Sequence, residues 1–134
     1  MEISSFDDLL QVARSQPEPQ RLLFVFAGAE LPDNATPAQQ AEFAAGHGGA
    51  LVPRMCVDKR PEEIVSFDAL VQESSQFGHD WQMVFAAALS GTAHRAPSSE
   101  DAEAPLQRMV EAIKLGQHSA FIPFDRHGAP VQLG

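Results

Sequence analysis

Apolar positions fall at helical spacing in some segments and run uninterrupted in others. Phe6, Leu9, Leu10 and Ala13 share one face of a predicted helix. Ser5 stands where it can cap an early amide, and Asp7 and Asp8 suit the positive end of the helix dipole. Pro17 and Pro19 end that helix. Phe67, Leu70, Val71 and Ser74 repeat the face, with Ser66 as cap and Gly78 as stop. A short helix is predicted over Pro37–Ala45, with Thr36 as N-cap and proline at its first position. A longer one runs from about Glu100 to Leu115, its core face formed by Leu106, Met109, Val110 and Ile113, and Gly116 ends it. Leu22–Ala27 and Met83–Leu89 show little polar alternation, as strands buried on both faces do. Ala50–Val57 and Ser119–Phe124 read as strands carrying Pro53 and Pro123. Proline cannot donate to a central ladder, so both belong at sheet edges. The tail His127–Gly134 is predicted to turn at Gly128.

The same succession occurs twice. Ser5-Phe6-Asp7 returns as Ser66-Phe67-Asp68, and Leu9-Leu10-Gln11 as Leu70-Val71-Gln72. The same offset of 61 sets Phe24 on Phe85 and Ala27 on Ala88 without a gap. Further on, Ala50-Leu51-Val52-Pro53 matches Ala120-Phe121-Ile122-Pro123 at an offset of 70, the added residues falling around Thr92–Ser99. Four matches in one order point to an internal duplication, with repeats over about 4–60 and 65–126 of a single domain spanning 1–134.

Each copy reads helix, strand, helix, strand. Apolar strands one and three belong at the centre, and proline-bearing strands two and four at the edges. Two βαβ units about a pseudo-two-fold then give an α+β sandwich with a ferredoxin-like four-stranded sheet in the order 4-1-3-2. The extra leading helices are expected to cover a second sheet face. The alternative is an α/β doubly wound parallel sheet, since helices and strands alternate strictly.

The charge narrows the partners. Eighteen acidic residues face nine basic ones, for a net charge of -9. The nearest approach to a basic cluster, Arg54 with Lys59 and Arg60, stands beside acidic residues, so neither nucleic acid nor an anionic membrane is expected as a partner. No apolar run approaches the ~20 residues of a membrane span. The start, Met1-Glu2-Ile3-Ser4, has neither the basic nor the apolar region of a secretory signal, and Cys56 is the single cysteine, which together lead to the expectation of a cytoplasmic protein.

Motifs that would announce a chemistry are missing. The histidines, His47, His79, His94, His118 and His127, include no pair three or four apart, so no metal site is expected and no cofactor is implied. Gly46-His47-Gly48-Gly49 follows a helix and precedes a strand, the reverse of a phosphate loop, and reads as a helix cap with a turn. Asp7-Asp8, Glu62-Glu63 and Glu100-Asp101 sit at helix starts, where the dipole explains them. No catalytic residue is assigned. Cys56 is a candidate nucleophile only if Arg54, Lys59 or a histidine lowers its pKa; a small core residue is the plainer interpretation. Gly28, Glu30, Ser90, Gly91 and Thr92 follow the two central strands at matched positions and, together with Cys56, are the ligand-binding candidates, as at the strand ends of doubly wound sheets.

Gln16-Pro-Glu-Pro-Gln20, Leu22–Pro32, Met55-Cys-Val-Asp-Lys59 and Ala96–Leu106 carry a resemblance across nearly the whole chain. In these segments the sequence resembles a small proteobacterial protein family of unassigned activity, whose members often bear the label "ribonucleotide reductase subunit alpha". A true large subunit needs one cysteine for its radical and a redox pair beside it; Cys56 cannot fill three posts, and 134 residues cannot build that barrel. The resemblance implies a bacterial origin and transfers no site residues. The pattern therefore favours a small non-enzymatic module binding a small molecule or a protein. Pairing of edge strands into a homodimer is compatible with it, but each edge proline limits such pairing, so contact through helix faces is an equal alternative. The alternatives are a small enzyme sited at the ends of strands one and three with help from Cys56 or a histidine, and a regulatory partner of a larger enzyme.

Overall fold

The computed structural model describes residues 5–30, 34–44, 50–76, 81–92, 94–115, 117 and 120–131. Helices α1 (Phe6–Arg14), α2 (Pro37–Ala44), α3 (Phe67–Ser75) and α4 (Ser99–Lys114) alternate with strands β1 (Gln20–Glu30), β2 (Ala50–Lys59), β3 (Met83–Ser90) and β4 (Ile122–Asp125). A 3-10 turn, Pro61–Glu63, joins β2 to α3. The local signals act as written. Ser5 accepts from the Asp8 amide, Ser66 from that of Ala69, and Ser98 from that of Asp101. Thr36 and Gln39 cap α2 reciprocally, backbone to side chain. The predicted stops Gly78 and Gly116 lie outside the described residues.

The fold is α+β, built on one antiparallel sheet in the order β2-β1-β3-β4. The two apolar strands are central and the two proline-bearing strands are edges, as expected. The order 4-1-3-2 and the parallel alternative are both wrong: β2 pairs with β1, and β4 with β3, each antiparallel. The helices between strands misled, because neither makes a βαβ crossover. The described side chains of α2, residues 37–41, are all exposed, so the link from β1 to β2 acts as a long hairpin connection. Helix α4 packs across β1 and β2 and then returns the chain to β4 beside β3.

Alternation along the strands divides the core. Leu22, Phe24 and Phe26 of β1 and Val84 and Ala86 of β3 face α1 and α3; Leu23, Val25, Ala27 and Phe85 face α4. Three layers result. Phe6 is the aromatic hub of the first face, with ring centroids 4.7 Å from Phe67, 5.5 Å from Phe124 and 5.8 Å from Phe24. Trp81 packs edge-on against Phe26 and donates its indole N–H to Ser74, itself bonded to the Val71 carbonyl. The ungapped offset of 61 fits the helices, whose Phe6 and Phe67 meet, but not the strands. Matched Phe24 and Phe85 lie on opposite faces, whereas a two-fold axis normal to the sheet keeps every residue on its own face.

The two edges end differently. On β2, Phe26 opposes Met55 and Ala27 opposes Pro53, leaving Arg54 as the extra residue of a bulge next to the proline. On β4, Val131 donates to the Pro123 carbonyl and Asp125 to that of Ala129, so the tail lies along the strand. Gly128 turns that tail at φ +81°, and its carbonyl accepts from the Phe6 amide at 3.0 Å, satisfying a free donor at the start of α1.

Candidate functional site

Where β3 ends, the chain folds back over itself. Ser90 opposes Gln20 of β1; its hydroxyl accepts from Gln20 Nε2 at 2.9 Å and donates to Gln20 Oε1 at 3.2 Å. Gly91 donates its N–H to Pro19 at 2.9 Å. Thr92 and Arg95 exchange backbone hydrogen bonds of 2.9 and 3.3 Å, closing a tight turn. The returning strand presses on Gly91, where a Cβ would stand 2.2 Å from the Arg95 carbonyl oxygen and 2.8 Å from Pro97 Cδ. Only glycine fits that crossing. Ser98 then starts α4 with a reciprocal cap, its N–H donating to Asp101 at 2.9 Å and its hydroxyl accepting from the Asp101 amide at 3.1 Å.

These segments line an open, solvent-facing cavity of about 370 Å³, bounded by Leu89, Ser90, Gly91, Thr92, Arg95, Ala96, Pro97 and Asp101. That is within the range of small-molecule sites. A largely buried ionic node stands beside it and reaches the lining at Pro97. Asp58 Oδ2, on β2, accepts from Arg21 Nε at 2.5 Å and from the Ser99 hydroxyl at 2.6 Å. Arg21 also donates to Ser99 Oγ at 2.7 Å and to the Pro97 carbonyl at 3.2 Å. Burial pushes the Asp58 carboxyl up, but the Ser99 hydroxyl and the Arg21 guanidinium outweigh it, and the pKa falls below the usual carboxylate value. The node thus ties β1, β2 and the first turn of α4 together. At the cavity mouth, hydrogen bonds from the Ser98 amide and hydroxyl, with a smaller contribution from the charge of Arg95, lower the pKa of Asp101.

Of the ligand-binding candidates, Ser90, Gly91 and Thr92 come together in this cavity. Gly28 and Glu30 do not join them. Because β1 and β3 run antiparallel, their C-terminal ends point to opposite ends of the sheet. Gly28 is eight residues along β1 from Gln20, the partner of Ser90, which puts it about 26 Å away. Gly28 instead makes room for a side chain: a Cβ there would meet Arg54 Nε at 2.9 Å and Gln82 Oε1 at 3.2 Å. Glu30 pairs with Ala50 in the ladder, and its side chain lies outside the described residues.

Cys56 opposes Val25 on edge strand β2 and is exposed. Partial desolvation, and secondarily the negative charge of Asp58, push its thiol above the ordinary cysteine value. The bases that could activate it are committed elsewhere: Lys59 bonds Glu73 at 2.6 Å, and the Arg54 side chain lies over Gly28. His94 and His127 are exposed. Asp125 accepts from the amides of His127 and Ala129, so Asp125-x-His127 is a turn. His47, His79, His118 and the loop Gly46-His47-Gly48-Gly49 lie outside the described residues. The carboxylate pairs at Asp7, Glu62 and Glu100 stand in first turns.

Sequence reasoning missed Arg21, Asp58, Arg95 and Asp101. Arg21 and Asp58 were visible as charges at the ends of otherwise apolar strands, but they meet only once β2 is set beside β1. No family model, curated protein or solved structure matches this chain. Among the described residues, no three of His, Cys, Asp or Glu are grouped as metal ligands would be, and no helix is long and apolar enough to cross a membrane.

Proposed function

We propose that this chain is a non-enzymatic binding module whose ligand is a small molecule held in the cavity between the end of β3 and the start of α4. The observation that carries this reading is the convergence of Ser90, Gly91 and Thr92 in one cavity of about 370 Å³ with a rigid, capped wall. The catalytic alternative has less support. A nucleophilic cysteine needs a lowered pKa, whereas that of Cys56 is raised, and Cys56 stands on β2, away from the cavity lining. A regulatory role beside a larger enzyme is open to the same module. A second copy would pair through Met55–Lys59 of β2, since the tail follows β4 and the bulge interrupts β2 at Arg54; a strict monomer by light scattering at high concentration removes that pairing. The halves are proposed to descend from one αβαβ unit, with a slip of odd length between the first helix and strand. The binding reading is tested by screening small metabolites against isotope-labelled protein. Saturable amide shifts confined to residues 89–101 are expected, and a ligand whose shifts cluster elsewhere overturns it.

A further inference from the structure

Granting the binding reading above, the polar groups of the same cavity define the class of ligand. The Ser90 hydroxyl is spent, since it both donates to and accepts from Gln20. The Asp101 carboxylate is held by the Ser98 amide. Two groups on the lining retain capacity. Arg95 is exposed and, among the described residues, its guanidinium makes no direct hydrogen bond or salt bridge; its charge acts on the Asp101 carboxylate of the same lining, which an incoming anion would have to displace as its counter-charge, and the Thr92 hydroxyl makes no hydrogen bond. A guanidinium only donates, and its planar fork matches the two oxygens of a carboxylate or a phosphate. Leu89, Ala96 and Pro97 supply apolar wall beside this fork.

The turn gives the fork a fixed base. Arg95 is bonded through its backbone to Thr92, and its carbonyl is packed over Gly91, so the side chain springs from a backbone that cannot shift without breaking the crossing. We propose that the cavity binds a small organic anion, a carboxylate or phosphate oxyanion on an apolar body, with Arg95 as the anchoring residue and Thr92 as a second donor. The net charge of -9 opposes anions in general, so recognition depends on this local fork and not on a broad positive field.

The test uses the full chain and four probes: benzoate, phenyl phosphate, inorganic phosphate and neutral benzyl alcohol, each titrated at low salt while amide shifts are followed. Benzoate or phenyl phosphate is expected to shift residues 89–101 saturably, and to bind at least about tenfold more weakly to Arg95→Gln, whose melting temperature should match the parent. Inorganic phosphate binding as tightly as phenyl phosphate would remove the apolar body from the proposal. Equal binding of benzyl alcohol and benzoate, or an Arg95→Gln variant that binds benzoate as the parent does, overturns the anion assignment while leaving the cavity as a site. If none of the probes shifts residues 89–101, the anion proposal is overturned; the wider metabolite screen then decides separately whether the cavity binds at all.

Discussion

Removing the carboxylate of Asp58 tests whether the ionic node holds the two sides of the molecule together. Asp58→Ala leaves Arg21, whose side chain is 11% exposed, with a charge and two weaker acceptors, the Ser99 hydroxyl and the Pro97 carbonyl. Breaking a fully buried pair costs about 3–5 kcal/mol, and an exposed one under about 1 kcal/mol. With Asp58 18% exposed and two short hydrogen bonds lost, about 2 kcal/mol is expected. At a urea slope of about 1.5 kcal/mol per molar, that lowers the unfolding midpoint by roughly 1 M. A cycle with Arg21→Ala should return a coupling of about 1–2 kcal/mol.

The pH dependence gives a second, independent reading. The Asp58 pKa is lowered in the folded state, so the unfolded chain holds on to its proton at higher pH than the native one. The stabilisation is therefore complete above the ordinary carboxylate range of about 4 and is lost as the pH falls through the lower folded value. The gap in midpoint between parent and Asp58→Ala should be constant from pH 6 to 8 and close in strong acid. A gap that stays the same in acid, or a variant within about 0.5 kcal/mol of the parent at neutral pH, would falsify the assignment of Asp58 as the tie between β2 and α4.

Two glycines should respond in opposite ways. Gly91→Ala pushes a Cβ into the Arg95 carbonyl and should cost about 2–3 kcal/mol in denaturant unfolding, while Gly28→Ala meets only the movable ends of Arg54 and Gln82 and should stay within about 1 kcal/mol of the parent. Phe6→Ala empties the hub of the aromatic cluster and should cost about 3–5 kcal/mol by the same measurement; a smaller loss would mean the cluster repacks. Ser74→Ala strands the buried Trp81 N–H and should cost about 1–3 kcal/mol, with a shift in tryptophan emission. For Cys56, the rate of reaction with a disulfide reagent should rise only above the pH where a free thiol ionises, about 8.5; rapid labelling at pH 7 would restore the nucleophile alternative.

Most of the local architecture could be read from residue pattern alone, because it depends on contacts within a few residues. Ser5, Ser66 and Thr36 cap the helices they precede, and the apolar faces of α1 and α3 are the buried ones. Proline also carried long-range information: lacking an N–H, Pro53 and Pro123 had to lie at edges, which left β1 and β3 for the centre. What proline could not specify was which central strand each edge joins. That choice depends on where the linking helix packs, and the exposed side chains of α2 are as compatible with an ordinary surface helix as with one that has left the sheet.

The same gap explains why the candidate residues fall in two separate places. The ends of β1 and β3 were grouped because they occupy matching places in the two halves, and matching places converge only when the strands run parallel. Antiparallel pairing reverses that geometry: Gly28 and Ser90, each near the end of its strand, stand at opposite ends of the sheet. A single cavity therefore cannot draw on the C-terminal ends of both strands. The half at β3 has a loop that folds back, seals Gly91 under Arg95 and leads straight into the Ser98 cap of α4. Those extra residues around Thr92–Ser99, which a comparison of the halves treats as a mere insertion, supply Arg95, Ala96 and Pro97 to the cavity wall. This part of the cavity wall therefore comes from the one stretch that has no counterpart in the first part of the chain.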